Sequence, residues 1–128
     1  MRRSDQRRAA VVALYQRDLT GRPLDQLLEK HATAFTRELA EGAAKDQPEL
    51  DGLIERHAEG WTLDRIAPLE RNILRVALYE LLRREDVPAE VAIDEAVEAA
   101  KELCGADAPG FVNGILGAAA RERSASAR

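Results

Sequence analysis

The sequence predicts an all-α protein that is built around one central helix. Leu, Ala, Glu and Arg dominate the 128 residues, and Gly and Pro are sparse. No stretch alternates Val, Ile or Thr with polar residues, as half-buried strands do. Between Ile73 and Leu82 only Arg75 and Glu80 are charged, so apolar side chains point in nearly every direction around this stretch. Such a helix is buried on most sides, and the other helices must pack around it.

The two charges inside this stretch need partners. A buried charge without a partner costs several kcal/mol by rough estimate. We therefore interpret Arg75 and Glu80 as internal clamps that fasten neighbouring helices. The whole chain is expected to form a single domain over residues 1–123, with a disordered C-terminal tail over residues 124–128.

The first part of the chain predicts helices that precede the central one. Ser4 is the expected N-cap of a helix over residues 5–19, and Gly21 ends that helix. Pro23 suits the first turn of a second helix. A helical period then continues to about Lys45.

A break in that period is expected near residues 32–33. Pro48 opens the next helix, which Gly60 ends. The short segment that follows is expected to be a turn that sets Trp61 and Ile66 into the core.

The central helix is expected to begin at Pro68 and to run to about Arg84. The helix after it closes at Gly105. A last helix is expected to turn four apolar residues inward: Phe111, Ile115, Leu116 and Ala119. Gly114 and Gly117 each cost about 1 kcal/mol relative to Ala in a helix, so we expect them to allow close approach of another backbone.

Charge is distributed unevenly along the chain. Residues 1–22 contain two aspartates and six arginines, which are Arg2, Arg3, Arg7, Arg8, Arg17 and Arg22. Their net charge is +4, so the remainder carries −8 of the total of −4. Arginines in the first turns also oppose the helix dipole. This pattern is expected of a local phosphate-binding site or of a solvated terminus.

Several classes of protein and site are not expected. A single cysteine, Cys104, excludes an intrachain disulfide and a cysteine-based metal site. The longest uncharged apolar run, residues 9–15, is too short to span a bilayer. His31 and His57 lack ligands at metal-binding spacing, and no glycine-rich phosphate loop or nucleophile elbow is present. We therefore expect a cytoplasmic binding protein without a catalytic site, a metal or a cofactor.

Several sequence motifs resemble the NusB family of bacterial transcription antitermination factors. The motifs are Trp61-Thr-Leu-Asp-Arg-Ile66, Leu69-Glu-Arg-Asn-Ile-Leu-Arg-Val-Ala-Leu-Tyr-Glu-Leu81, Asp86-Val-Pro88, Val91-Ala-Ile-Asp-Glu-Ala96 and Phe111-Val-Asn-Gly-Ile-Leu116. Residues 7–15 also resemble the first helix of that family. The resemblance is weakest over residues 22–56, where only the helical pattern matches.

The resemblance implies a compact bundle of about seven helices, arranged as two packed subdomains around a central buried helix. It implies no enzymatic activity. It implies binding of the single-stranded boxA RNA of ribosomal RNA operon leaders, together with ribosomal protein NusE. The resulting complex lets RNA polymerase read through terminators. Some members of the family form homodimers, so a homodimer is one of the expected states.

The resemblance also implies which residues form the binding sites. RNA contacts map to Arg2, Arg3, Arg7, Arg8, Asp107 and Phe111. Contacts to NusE map to Glu70, with Arg71 and Tyr15 as neighbours. Phe111 is expected either to stack on an RNA base or to be a core aromatic, and Tyr15 has the same alternative of a core position.

Two other functions remain open on the sequence. One is a non-catalytic helical adaptor whose arginines are only solvated. The other is an RNA-recruiting module of the NusB-like type found in RNA methyltransferases, although no methyltransferase segment accompanies these 128 residues. Salt dependence separates the adaptor from an RNA-binding protein, because phosphate neutralisation weakens as salt rises.

Overall fold

The computed structural model describes residues 2–126, and within that range every regular element is helical. The α-helices are α1 (Arg3–Thr20), α2 (Leu24–Leu27), α3 (Ala34–Lys45), α4 (Gln47–His57), α5 (Pro68–Arg83), α6 (Ala89–Leu103) and α7 (Ala108–Ser126). A single 3-10 turn over Leu63–Arg65 lies between α4 and α5. The predicted all-α class is confirmed, and so is the position of the central helix.

Helix α5 lies at the centre of the bundle. It packs against α1, α3, α4, α6 and α7, and these contacts form one continuous apolar core. Its buried residues run without interruption from Asn72 to Leu78, so little of the helix between these positions reaches solvent. This burial is what the nearly all-apolar sequence of the stretch predicts.

Both charges of the central stretch are buried and paired, as expected. Arg75 is 3 % exposed and Glu80 is 1 % exposed. Arg75 donates from Nε to Asp51 at 2.7 Å and from Nη1 to Asp18 at 2.8 Å. Glu80 accepts from Arg7. The clamp from Arg75 therefore joins α5 to both α1 and α4.

The ends of the early helices differ in part from the prediction. Gly21 ends α1 in the left-handed region (φ 72°), as expected. Ser4 is not the N-cap, because the helix already begins at Arg3 and the Ser4 hydroxyl donates to Glu95 of α6 at 2.8 Å. Thr33 caps α3 by accepting from the backbone N–H of Thr36, which accounts for the break expected near residues 32–33.

Close packing is found at a different glycine from the two that the sequence indicated. Gly114 has open space where a Cβ would lie, and Gly117 faces only the flexible end of Arg121. At Gly42 of α3, in contrast, the ring of Tyr79 occupies the place of a Cβ. The Tyr79 hydroxyl then donates to Glu38 at 3.1 Å. Gly42 therefore brings α3 against the half-buried side of α5.

The predicted C-terminal tail is partly wrong. Helix α7 continues through Ser126, so residues 124–126 are helical, and residues 127 and 128 lie outside the described residues. The turns before this segment favour a helix, because Ala, Arg and Glu have high helix propensity. Glu122 also ties α7 to α4 through an ion pair with Arg56 at 2.9 Å.

Replacing Gly42 with Ala is expected to destabilise the fold by roughly 1–3 kcal/mol, because the Tyr79 ring must move. The matched control is Gly52→Ala in α4, where nothing lies within 4 Å of the added carbon. That change should stabilise the protein by up to about 1 kcal/mol, since Ala is the better helix former. Urea unfolding of both variants measures the difference, and equal effects would contradict the packing argument.

Replacing Asp18 with Ala is expected to cost about 3 kcal/mol near neutral pH, because buried Arg75 then keeps only Asp51 as a charged partner. Burial by itself would raise the pKa of Asp18. The hydrogen bond from Asn72, the charge of Arg75 and the hydrogen bonds from Arg71 and Arg75 outweigh burial and lower that pKa below its usual 3.8.

The sign of the resulting pH dependence follows from that lowered pKa. The stabilisation by Asp18 is complete above the unfolded pKa of 3.8 and is lost as the pH falls through the lower folded value. The difference in unfolding free energy between the wild type and Asp18→Ala should therefore shrink under strongly acidic conditions. The control is Asp94→Ala, at an exposed position on α6. A difference independent of pH would show that the carboxylate charge is not responsible.

Candidate nucleic-acid and partner interface

Arg7 is the one arginine of the N-terminal group that lies in the core. It is 8 % exposed, and its Nε and Nη2 donate to both carboxylate oxygens of Glu80 at 2.9–3.0 Å. A bidentate pair of this kind fixes the positions of both side chains. The geometry makes Arg7 a clamp between α1 and α5, so its guanidinium is not available to an RNA phosphate in this arrangement.

Three guanidinium groups lie close to the ring of Phe35 of α3. The guanidinium carbons of Arg3, Arg7 and Arg84 lie 4.3, 5.3 and 5.1 Å from the ring centroid. Cation–π attraction to one ring offsets part of the repulsion between these like charges. This arrangement explains why α1 accepts arginines in its first turns, although they oppose the helix dipole.

Three arginines near the start of α1 still reach solvent. The side chain of Arg2 is 86 % exposed, and that of Arg3 is 50 % exposed with a loose contact to Asp86 at 3.8 Å. Arg8 pairs with the exposed Glu102 of α6 at 3.0 Å. The first turns of α1 therefore present positive charge, with Arg3 beside Asp86 before the start of α6 and Arg8 beside the end of α6 that leads into α7.

Asp107 and Phe111 are brought together with Glu70 in one cleft of about 300 Å³ between the start of α5 and the start of α7. Asp107 is exposed, and Phe111 is half-buried against the core. The ring of Phe111 thus touches the core and also lines a surface cleft. Two residues predicted to contact RNA, Asp107 and Phe111, therefore line the same cleft as Glu70, which is predicted to contact NusE.

Glu70 differs from an ordinary surface carboxylate. Its partial burial raises its pKa above the usual 4.5. Burial and the nearby Glu70 charge together raise the pKa of the Cys104 thiol. Cys104 is therefore held in its neutral form, and we assign it a packing role.

The predicted burial of Trp61 is wrong. It was expected in the core, but it is 51 % exposed, whereas Ile66 is buried as predicted. The chain turns at Gly60 in the left-handed region (φ 86°), and the indole then meets the Phe111 ring edge to face, with centroids 6.1 Å apart. Trp61 consequently joins the same cleft, and sequence reasoning missed it as a site residue.

Arg71 belongs to the contact between α1 and α5. Arg71 donates to Asp18 at 3.1 Å and to the carbonyl oxygens of Leu63 and Ile66 at 3.3–3.4 Å. Tyr15 is half-buried and lies one turn before Asp18 on α1. The internal hydrogen bonds of Arg71 make it a positioning residue for the start of α5, where Glu70 is located.

Neither a membrane-spanning helix nor a metal-binding cluster is found among residues 2–126. No helix there is long and apolar enough to cross a bilayer. No group of three or more His, Cys, Asp or Glu side chains in that part is arranged to hold a metal ion.

Comparisons with known proteins agree on one family. The model of the NusB family matches residues 4–121. The transcription antitermination protein NusB of Halalkalibacterium halodurans is 42 % identical over 122 residues, which cover 91 % of each chain. The protein of the same name from Saccharopolyspora erythraea is 44 % identical over 124 residues, which cover 90 % of this chain and 84 % of that one.

Solved structures lead to the same family. The structure of T. maritima NusB matches with a TM-score of 0.88 at 37 % identity, over 95 % of this chain and 92 % of that chain. A complex of the antitermination factors NusB and NusE with double-stranded RNA matches with a TM-score of 0.84 at 28 % identity. That match covers 94 % of this chain and 96 % of the other.

Replacing Arg7 with Met is expected to destabilise the fold by about 3 kcal/mol, because Glu80 keeps its charge without its bidentate partner. The double variant Arg7→Met with Glu80→Met should recover most of this loss, since an apolar pair can replace a buried ion pair. The matched control, Arg8→Met, should cost less than about 1 kcal/mol, because its partner Glu102 is exposed. Thermal and urea unfolding measure all three, and equal effects of the two single variants would refute the clamp.

Proposed function

The chain belongs to the NusB family of transcription antitermination proteins, and we propose that it binds boxA-type leader RNA of ribosomal RNA operons together with NusE, so that RNA polymerase reads through terminators. The observation that carries this proposal is the placement of the arginines that reach solvent. Arg2, Arg3 and Arg8 concentrate positive charge at one end of α1 on a chain whose net charge is −4. A local basic surface on an acidic protein is suited to a polyanion.

The partner side of the proposal rests on the shared cleft. Glu70 lies at the start of α5 in the same cleft as Asp107 and Phe111. The related complex that contains NusB, NusE and RNA supports a joint surface for a protein and an RNA. We propose that NusE contacts the Glu70 side and that RNA extends from the arginines towards Phe111, with Asp107 limiting affinity through its negative charge.

Assembly rather than catalysis is the proposed activity, and the cytoplasm is the proposed location. The arginines supply phosphate contacts and the aromatic cleft supplies base contacts, so the residues of the site account for binding without a reacting group. The curated relatives of matching length carry the antitermination name, which favours this function over a recruiting module of a methyltransferase. The alternative function, an adaptor that binds no RNA, is tested by the following experiment.

The test is fluorescence anisotropy with labelled boxA-type RNA, a scrambled RNA and a duplex form, each with and without NusE. Preferential binding of the boxA strand that tightens with NusE is the expected result. The logarithm of the affinity should fall with the logarithm of the salt concentration, by a slope of about 0.7 for each phosphate contact to a single strand. Equal weak binding to all RNAs, with NusE bound normally, would identify an adaptor.

The combination Arg2→Glu with Arg8→Glu is expected to weaken RNA binding by more than tenfold at low salt and to flatten the salt dependence. The physical reason is that two phosphate contacts become repulsive. The control is Arg22→Glu, which makes half of this change of charge just beyond the opposite end of α1, where Arg22 is exposed. Unchanged affinity in the double variant would remove the arginines from the RNA site.

A further inference from the structure

Trp61 is an exposed aromatic residue that the arginine surface does not explain. It is 51 % exposed, although large apolar side chains gain about 1.5–3 kcal/mol from full burial. Its position is nevertheless fixed, because the indole rests edge to face on Phe111 at an interplanar angle of 67°. Phe111 in turn packs against the core. The exposed indole is therefore held in place by a supported ring, as a rigid binding surface would be.

The two rings form a ridge between two concave surfaces. On one side is the cleft of about 300 Å³ that also contains Arg65, Glu70 and Asp107. On the other side is a second cleft of about 380 Å³, which Trp61 and Phe111 share with Arg121. Each cleft thus combines an aromatic wall with one arginine.

We propose that the indole of Trp61 is the stacking surface for one unpaired RNA base, that Phe111 supports it, and that Arg65 contacts the adjacent phosphate. This inference rests on the proposed RNA-binding function and names a base-contacting residue within it. Aromatic side chains next to a cation are the usual arrangement for single-stranded nucleic acid, because every base offers a π-face and every linkage offers a negative charge.

The carboxylates of the first cleft determine how the nucleotide lies. Glu70 and Asp107 repel phosphate, so the base rather than the backbone should enter this cleft. Carboxylate oxygens only accept hydrogen bonds, and they favour bases that carry an amino group: adenine, cytosine or guanine. We therefore expect uracil to bind most weakly at this position.

The protein contains one tryptophan, so its fluorescence reports on this site alone. Titration of the protein with unlabelled boxA-type single-stranded RNA, with NusE present, should quench the indole emission in step with the anisotropy signal. Single-nucleotide substitutions along that RNA should identify one position at which uracil weakens binding most. A duplex RNA should leave the emission unquenched, because its bases are already stacked on each other.

Trp61→Leu is expected to reduce RNA affinity by roughly 5- to 150-fold, the range for one stacked base. Trp61→Phe should retain much of the affinity, because a phenyl ring can still stack on a base. If the indole only contributed to packing, the smaller ring would lose affinity as well. The matched control is Leu19→Ala, which removes another exposed apolar side chain, 57 % exposed on α1. Circular dichroism should show that all three variants fold, since neither side chain is part of the core.

Arg65→Ala should lower the salt slope by about 0.7, the value for one phosphate of a single strand, whereas Arg22→Ala should leave it unchanged. If the wild type binds no RNA with NusE present, the proposed function fails and this inference fails with it. If the wild type binds RNA while Trp61→Leu has unchanged affinity and the emission is not quenched, only the inference fails. If Trp61→Leu weakens NusE binding in the absence of RNA, the surface is a protein contact and the inference is overturned.

Discussion

Two buried ion pairs of opposite polarity connect α1 to α5, and the arrangement of the bundle depends on them. Arg75 of α5 pairs with Asp18 near the end of α1, and Glu80 of α5 pairs with Arg7 near its start. Because the later residue on α5 meets the earlier residue on α1, the two helices can pack in only one direction. The reversed packing would oppose Arg75 to Arg7 and Glu80 to Asp18, and like charges in the interior are strongly unfavourable. Apolar contacts alone would not make this distinction.

This constraint also shapes the surface. With Arg7 fixed against Glu80, the residues around it on α1 take defined directions: Arg3 lies over Phe35, and Arg8 lies against Glu102 of α6. The arginines at the start of α1 are therefore of two kinds, those that hold the fold and those that reach solvent. An argument from net charge counts them equally, although only the second kind can neutralise a phosphate.

The sequence was informative where burial follows from periodicity and uninformative where it depends on neighbours distant along the chain. Helix α5 and the need of Arg75 and Glu80 for partners followed from the apolar pattern, but Asp18 and Arg7 could not be identified as those partners. Trp61 was expected inside because indole is large and apolar. Its exposure depends on the left-handed turn at Gly60 and on the ring of Phe111, fifty residues later. The prediction of close packing at Gly114 and Gly117 was wrong for the same reason. Close packing occurs at Gly42, and its contact with Tyr79 depends on how α3 packs against α5.

The position of Glu70 has a consequence for how the two proposed ligands act on one another. Glu70 lines the cleft with Asp107 and Phe111, and it also stands at the start of α5, where NusE is proposed to bind. A partner that neutralises or reorients this carboxylate changes the repulsion that an entering nucleotide meets. Such coupling is reciprocal, so a NusE that tightens RNA binding must itself be bound more tightly by the RNA complex, by the same factor. A chain with a net charge of −4 can in this way gain RNA affinity on assembly with its partner, which is the behaviour that an assembly factor requires.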